Sequence, residues 1–424
     1  MAPTLETPII IIGGGTFGTS TAYHLAVKGY KSITVLDRFP VPSCEAAGND
    51  INKIVRTEYP EALYTRLARD ARDIWKDPSG LFSGLYKQTG WIIGATERSA
   101  PFIEASAVSA KKLGVEPPEL VSTEVIHKRW PVMKGGFEGW RAYWSENAAW
   151  VNAREGIVRM AKEAMKMGVK YVSGDAGHAK TLLYDETGAC VGVKTADGTA
   201  YFAEEIIIAA GAAAGTLLDL EGQIVAKGHA VGHIQLTKEE VEKYKHMPIL
   251  DHLEGGILFP PQEDGIMKIG AVHFVTNYAK STKGVSLPRY RSDNPRDGIP
   301  ATVEARLRKW METCVPELAH REWFETRICW DGDMADYHFL ITPHPRHKNL
   351  KLAIGGSAHG FKFLPVLGKY IAEMMEGTLD PEIAKKWKWR PGLDVSDFST
   401  NPHPFKPEDL NDMPGWQEPI KSVL

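Results

Sequence analysis

The sequence predicts an α/β fold of two interleaved domains, and three observations carry that expectation. A β-branched run, Ile9 to Ile12, passes at once into Gly13-Gly14-Gly15-Thr16-Phe17-Gly18 and then into a helical pattern. A second apolar strand, Glu205 to Ile208, enters its own turn at Gly211 after an excursion of short strands. The stretch from His229 to Val275 is strand-rich as well.

Each element has a local cause. Ile9 to Ile12 is apolar at every position, as a parallel strand covered on both faces must be. The helix that follows runs through Ser20, Ala22, His24, Leu25 and Ala26 and stops at Gly29, a C′ residue. Ile33 to Leu36 restarts a strand that ends at Asp37, completing a βαβ unit. Residues 60–144 read as helices with short strands such as Trp91 to Ile93. Ala153 to Met167 is a helix closed by Gly168. Short strands follow near Val169, Thr181 and Val191, with turns at Glu186-Thr187-Gly188 and Asp197-Gly198. Thr302 to Val315 is an amphipathic helix, and strands near Ile328, Phe339 and Leu352 lead to a last helix, Leu364 to Glu376. Beyond Pro391 the chain is rich in Pro, Asn and Asp, and residues 396–424 are expected to form an irregular tail.

Composition narrows the function classes. The 424 residues carry 50 basic and 53 acidic side chains, a formal charge of −3, so no long-range field would hold nucleic acid or an anionic membrane. Four scattered cysteines make no disulfide framework, and no C-x-x-C pair suggests a metal site. The first residues lack a secretory pattern, and Ile206 to Leu218 falls short of the roughly 18 residues of a membrane span. A soluble intracellular protein is expected, cytoplasmic or peroxisomal. The final Ser422-Val423-Leu424 lacks the basic middle residue of a peroxisomal tail.

Gly13-x-Gly15-x-x-Gly18 follows a strand, opens a helix, and has Asp37 nineteen residues after its third glycine. That context suits a dinucleotide: the glycines admit the pyrophosphate, the helix N-terminus binds it, and Asp37 takes a ribose hydroxyl. The glycines do not separate FAD from NAD. The second strand and its glycine turn, after a small meander, lean toward FAD.

Further motifs give the chain a specific likeness. Gly48-Asn49-Asp50-Ile51-Asn52-Lys53-Ile54, Arg327-Ile328-Cys329-Trp330, Phe339-Leu340-Ile341 and His359-Gly360-Phe361-Lys362-Phe363-Leu364-Pro365, with the glycine turn, resemble the sarcosine oxidase family of flavoproteins, above all its fungal amadoriases. The resemblance spans Ile9 to about Pro391. It implies a Rossmann-like FAD-binding domain of the glutathione-reductase and D-amino acid oxidase type, built from residues 1–60, 145–225 and 322–395. A mixed-sheet substrate domain would use 61–144 and 226–321.

The resemblance also implies roles. FAD would be held by Gly13, Gly15, Thr16, Phe17, Gly18, Asp37, Arg38, Ser43, Asn49, Asn52, Lys53, Gly360, Phe361 and Lys362, and joined covalently through Cys329. Arg56 and Lys362 would grip a substrate carboxylate as a fork and a point charge. Lys268, with Lys53, would promote reaction with oxygen, and His273 would face the substrate. In amadoriases an Asp-Glu pair stands where this chain has Ala271-Val272, and Val272 cannot accept a hydrogen bond from a sugar hydroxyl. The expected activity is therefore oxidation of N-methyl or other secondary amino acids to an iminium, with hydrogen peroxide formed from oxygen. Fructosyl amino acids, pipecolate or saccharopine are alternative substrates, and a flavin dehydrogenase with another acceptor is an alternative class. A monomer acting on a small amino acid is expected, and the four cations Lys53, Arg56, Lys268 and Lys362 would gather over one face of the flavin.

Overall fold

The computed structural model describes residues 3–278, 284–393, 403 and 405–416. A six-stranded sheet runs in the order Leu340–Pro343, Leu350–Ile354, Glu205–Ile208, Ile9–Ile12, Ile33–Leu36, Lys170–Val172. Its neighbours are parallel except the first pair. Ile9 to Ile12 and Ile206 to Ile208 are all at most 4% exposed, which explains their continuous apolar sequence. Burying each such side chain contributes about 1.5–3 kcal/mol. The helix Thr16–Val27 packs against the last long helix, Leu364–Glu376, so closely that a Cβ on Gly368 would lie 1.9 Å from the Ser20 carbonyl oxygen. The Ser20 hydroxyl donates to the Leu364 carbonyl at 2.7 Å and accepts from the Gly368 N–H at 2.7 Å, fixing the start of that helix.

The excursion between the two apolar strands differs from the expected one. Lys170–Val172 joins the parallel sheet beside Ile33–Leu36, while the meander consists of Ala179–Tyr184, Cys190–Thr195 and Ala200–Phe202. Ala200–Phe202 is only three residues long, and two of them, Ala200 and Phe202, are exposed.

A ten-stranded mixed sheet forms the roof of the molecule's main cavity. Val225–Gln235 is its spine, paired with Ile266–Ala271, Val275–Thr276 and Glu325–Asp333. Beyond Ile266–Ala271 the sheet continues through Gly256–Leu258, Ile249–His252, Trp91–Ala95, Arg141–Ser145 and Glu119–Val121. Glu325–Asp333, assigned by segment to the FAD-binding part, thus runs as a roof strand at the seam of the two sheets. The tail is not wholly irregular either: Glu408–Asp409 pairs with Val275–Thr276 as the sheet's edge. Ser422-Val423-Leu424 lies outside the described residues. Among the described residues no helix is long and apolar enough to cross a membrane, and no group of three metal-ligating side chains occurs.

Candidate active site

A cavity of about 680 Å³, within the range of cofactor and ligand sites, opens between the parallel sheet and the roof. One end is lined by Gly13, Gly15, Thr16 and Phe17. The glycine turn is shaped by two close approaches. Gly13 has φ +108°, and a Cβ on Gly18 would fall 1.8 Å from the Gly13 carbonyl oxygen. Gly15 is different: a Cβ there would touch only Ala46, at 3.5 Å, so its bareness leaves room on the cavity side. Gly15 caps the helix without any side-chain cap, leaving amide N–H groups for an anion.

Asp37 lines the same end. It accepts from the N–H of Gly14 and of Phe39, both at 2.8 Å, and burial pushes its carboxyl up from the usual range. Arg38 and Ser43 also line the cavity, Arg38 forming a bidentate pair with Asp293. An uncapped helix terminus, a bare Gly15 and an anchored acid at the next strand end fit the diphosphate and ribose of a dinucleotide.

Strand periodicity builds the middle of the cavity. Arg327, Cys329 and Asp331 alternate along one strand, and His229 and Val231 alternate on its neighbour, with His229 opposite Cys329 and Val231 opposite Arg327. Lys268 and Gly270 continue the pattern on the next strand, and Val272 lines the cavity just past its end. Cys329 is 5% exposed and its Sγ makes only a 3.9 Å contact with the Ala47 carbonyl oxygen. Asp331 accepts from the Gly332 N–H at 2.9 Å and the Ala358 N–H at 3.0 Å, which ties down a loop where Ser357 and Ala358 have φ +48° and +58°. Burial, with Asp333 nearby, raises the Asp331 carboxyl to about 7.

The four expected cations do not gather in one group. Lys268 and Lys53 converge on Asp50, whose Oδ2 lies 2.6 Å and 3.1 Å from their Nζ atoms. Arg327 approaches the other oxygen at 3.4 Å. Asp50 is 1% exposed; burial alone would raise its carboxyl, but the three cations outweigh that and hold it well below the usual range. Lys268 also donates to the Asn52 carbonyl at 2.7 Å, and burial lowers its ammonium to about 8 against the pull of Asp50.

Arg56 and Lys362 form the second group, at Tyr59. The Arg56 guanidinium lies 4.5 Å from the Tyr59 ring centre and 5.3 Å from that of Trp91, a cation–π cage. Lys362 is 3% exposed and donates to the Tyr59 hydroxyl and the His359 carbonyl, each at 2.8 Å. The Trp75 indole N–H donates to the Lys362 carbonyl at 2.8 Å and fixes its backbone. Burial, then the nearby Arg56 charge, pulls the Lys362 ammonium well below its ordinary value. Two adjoining cations whose nearby acid, Glu58, accepts from Thr57 and Ser145 make a site that favours an anion.

Four expected site residues, Gly18, His273, Asn49 and Asn52, lie outside the cavity lining. His273 stacks on Phe405 at 4.4 Å, in the bend that follows Ile266–Ala271, where Val272 and Phe274 line the cavity and His273 does not. The histidines that line the cavity are His229, His359 and His403, with His178 at the other end. Asn49 accepts from Arg154 at 2.8 Å and supports the loop. Asn52 is fully buried with both amide atoms unpartnered. Gly360, Phe361, Lys362, Lys53, Arg56 and Lys268 all line the cavity. Asp50, Arg327, Tyr59 and Asp251 were not read from the sequence as site residues. Asp50 stood inside a quoted motif, and Arg327 stood two positions from Cys329 on the same strand face. No local pattern marks Tyr59 or Asp251.

Comparison with known proteins agrees with this geometry. A family model described as FAD dependent oxidoreductase matches residues 8–374. L-saccharopine oxidase of Schizosaccharomyces pombe is 34% identical over 91% of this chain and 94% of that protein. Monomeric sarcosine oxidase of a Bacillus strain is 26% identical over 86% and 92%. The crystal structure of fructosamine oxidase from Aspergillus fumigatus superposes with TM-score 0.87 at 34% identity, over 98% of both chains. Fructosyl peptide oxidase from E. terrenum gives TM-score 0.89 at 33% identity, over 98% and 99%.

Proposed function

Because the chain belongs to the FAD-dependent oxidoreductase family, we propose that it is an oxidase of N-substituted amino acids that uses molecular oxygen. The observation that carries this reading is the pair of basic side chains Arg56 and Lys362, which line one part of the cavity beside Tyr59. In this reading the bound FAD would supply the acceptor for a hydride from the carbon next to the substrate nitrogen and the electrons that reduce oxygen.

The chain's own residues do the rest. Arg56 and Lys362 hold the carboxylate, so the secondary amine is turned toward the centre of the cavity. The amine must be neutral to release hydride, and two cations beside the carboxylate disfavour its protonated form. No side chain is required as a strong base. Lys268, held by Asp50, supplies a fixed positive charge where negative charge develops on oxygen. Gly13 to Gly18 and Asp37 would hold the dinucleotide, and Gly360 to Lys362 would close against it. The parallel sheet would serve as the cofactor domain and the roof as the substrate domain of a monomer.

The covalent link is proposed at Cys329. Its sulfur is buried in the cavity wall near Lys53 and Arg327, and a cysteine sulfur is the nucleophile a thioether requires. Yellow colour is expected to stay with acid-precipitated wild-type protein and to pass into the supernatant for Cys329→Ser. Colour released from both would end the covalent reading.

Peroxide production tests the function itself. Turnover is expected with sarcosine, N-methyl aromatic amino acids, pipecolate or saccharopine ahead of fructosyl-valine, since Val272 lines the cavity without an acceptor for sugar hydroxyls. Turnover of fructosyl-valine alone would reverse that order.

A further inference from the structure

One carboxylate in the roof has no part in the chemistry above. Asp251 lies on the strand Ile249–His252, in register beside Ile257, which in turn sits beside Gly270. All three line the cavity, so this row faces the same space as Lys268 and Val272. Asp251 is 8% exposed, and its Oδ1 is buried without a hydrogen-bond partner. Burial raises the carboxyl to about 7, outweighing Arg56 and the approaching indole N–H of neighbouring Trp91, which hold it down. Arg56 is the charge that Asp251 feels, yet the two form no ion pair within 4.0 Å.

A buried carboxyl with an open oxygen and no paired cation is costly to ionise, and its place in a cavity wall points to a partner that arrives with the ligand. Arg56 and Lys362 already provide for an anion. Lys268 and Arg327 are taken up by Asp50, so what Asp251 lacks is a cation of its own. A hydroxyl would give Asp251 one hydrogen bond and leave its charge uncompensated, whereas an ammonium answers both needs.

We propose that Asp251 forms a subsite for a second, protonated nitrogen, so that the substrate is a dibasic N-substituted amino acid with its carboxylate at Arg56 and Lys362 and its distal ammonium at Asp251. This rests on the oxidase reading and goes beyond it by naming the charge pattern of the substrate.

The test uses the holoenzyme without oxygen and two matched pairs of probes. N-(2-aminoethyl)glycine is compared with N-propylglycine, and N-methyl-lysine with N-methyl-2-aminoheptanoate; each pair exchanges an ammonium for a methyl. Affinity is read from the flavin absorbance change, whether by perturbation or by reduction. In at least one pair the ammonium compound is expected to bind about tenfold tighter in the wild type. Asp251→Asn is expected to reduce that ratio to about two, leaving the methyl compounds within about threefold. Should D251N fail to retain flavin, Asp251→Ser is read in the same way.

A ratio unchanged in the variant, or no ammonium preference in either pair, overturns the subsite. So does equal weakening of both members of a pair, which would make Asp251 a positioning residue for Arg56. Tighter binding of N-(2-hydroxyethyl)glycine than of the ammonium compound also overturns it. Asp251-dependent binding without flavin reduction would instead sink the oxidase reading and leave the subsite standing.

Discussion

Asp50→Ala is expected to destabilise the protein by about 3–5 kcal/mol, since it leaves Lys268, Lys53 and Arg327 together with no anion among them. A lowered thermal midpoint and reduced flavin retention at neutral pH are the measurements. The effect has a defined pH sign. The folded Asp50 carboxyl lies well below its ordinary value, so its stabilisation is complete above the unfolded value near 4. It is lost as pH falls through the depressed folded value. Wild type and variant should therefore differ most at neutral pH and converge in strong acid. Asp50→Asn keeps the shape without the charge and should behave like the alanine variant. A difference in midpoint that did not shrink on acidification would show that the cluster's worth is packing and not charge.

Lys268→Met is expected to slow reoxidation by oxygen about 10²–10³-fold, the scale of removing one fixed charge from a developing anion. Reduction by substrate should change far less, because the carboxylate site proposed at Arg56 and Lys362 is a separate group of the cavity's side chains. Stopped-flow measurement of the two half-reactions separates these effects. The Lys268 ammonium lies near 8, so the wild-type oxygen reaction should fall as pH rises through that value and the variant should be flat. Equal losses in both half-reactions would remove Lys268 from the oxygen step and make it a structural cation.

The legible parts of the sequence were those where local pattern and burial coincide. Ile9 to Ile12 announced a strand covered on both faces because every side chain there is apolar, and Gly13 to Gly18 announced its turn because backbone meets backbone at Gly18. Lys53, Arg56, Lys268, Cys329 and Lys362 could be singled out through family motifs, and all five line one cavity. His273 misled because it lies in a bend just past the strand Ile266–Ala271, where no periodicity fixes the direction of a side chain. It stacks on Phe405, and the histidines that line the cavity are His229, His359 and His403, with His178 at the other end.

The sequence by itself determined the dinucleotide-type turn, the parallel core, the family likeness and the cations of the site. These depend on short-range patterns: a run of isoleucines, a spacing of glycines, a cysteine beside a tryptophan. Only the tertiary structure decided how those cations are shared out. Lys53 and Lys268, 215 positions apart in the chain, meet Arg327 on one buried carboxylate, while Arg56 and Lys362 meet at Tyr59. The physical reason is that a charge in a low-dielectric interior is governed by what lies within a few ångströms of it. Those neighbours come from strands and loops that the sheet brings together and the linear order keeps apart.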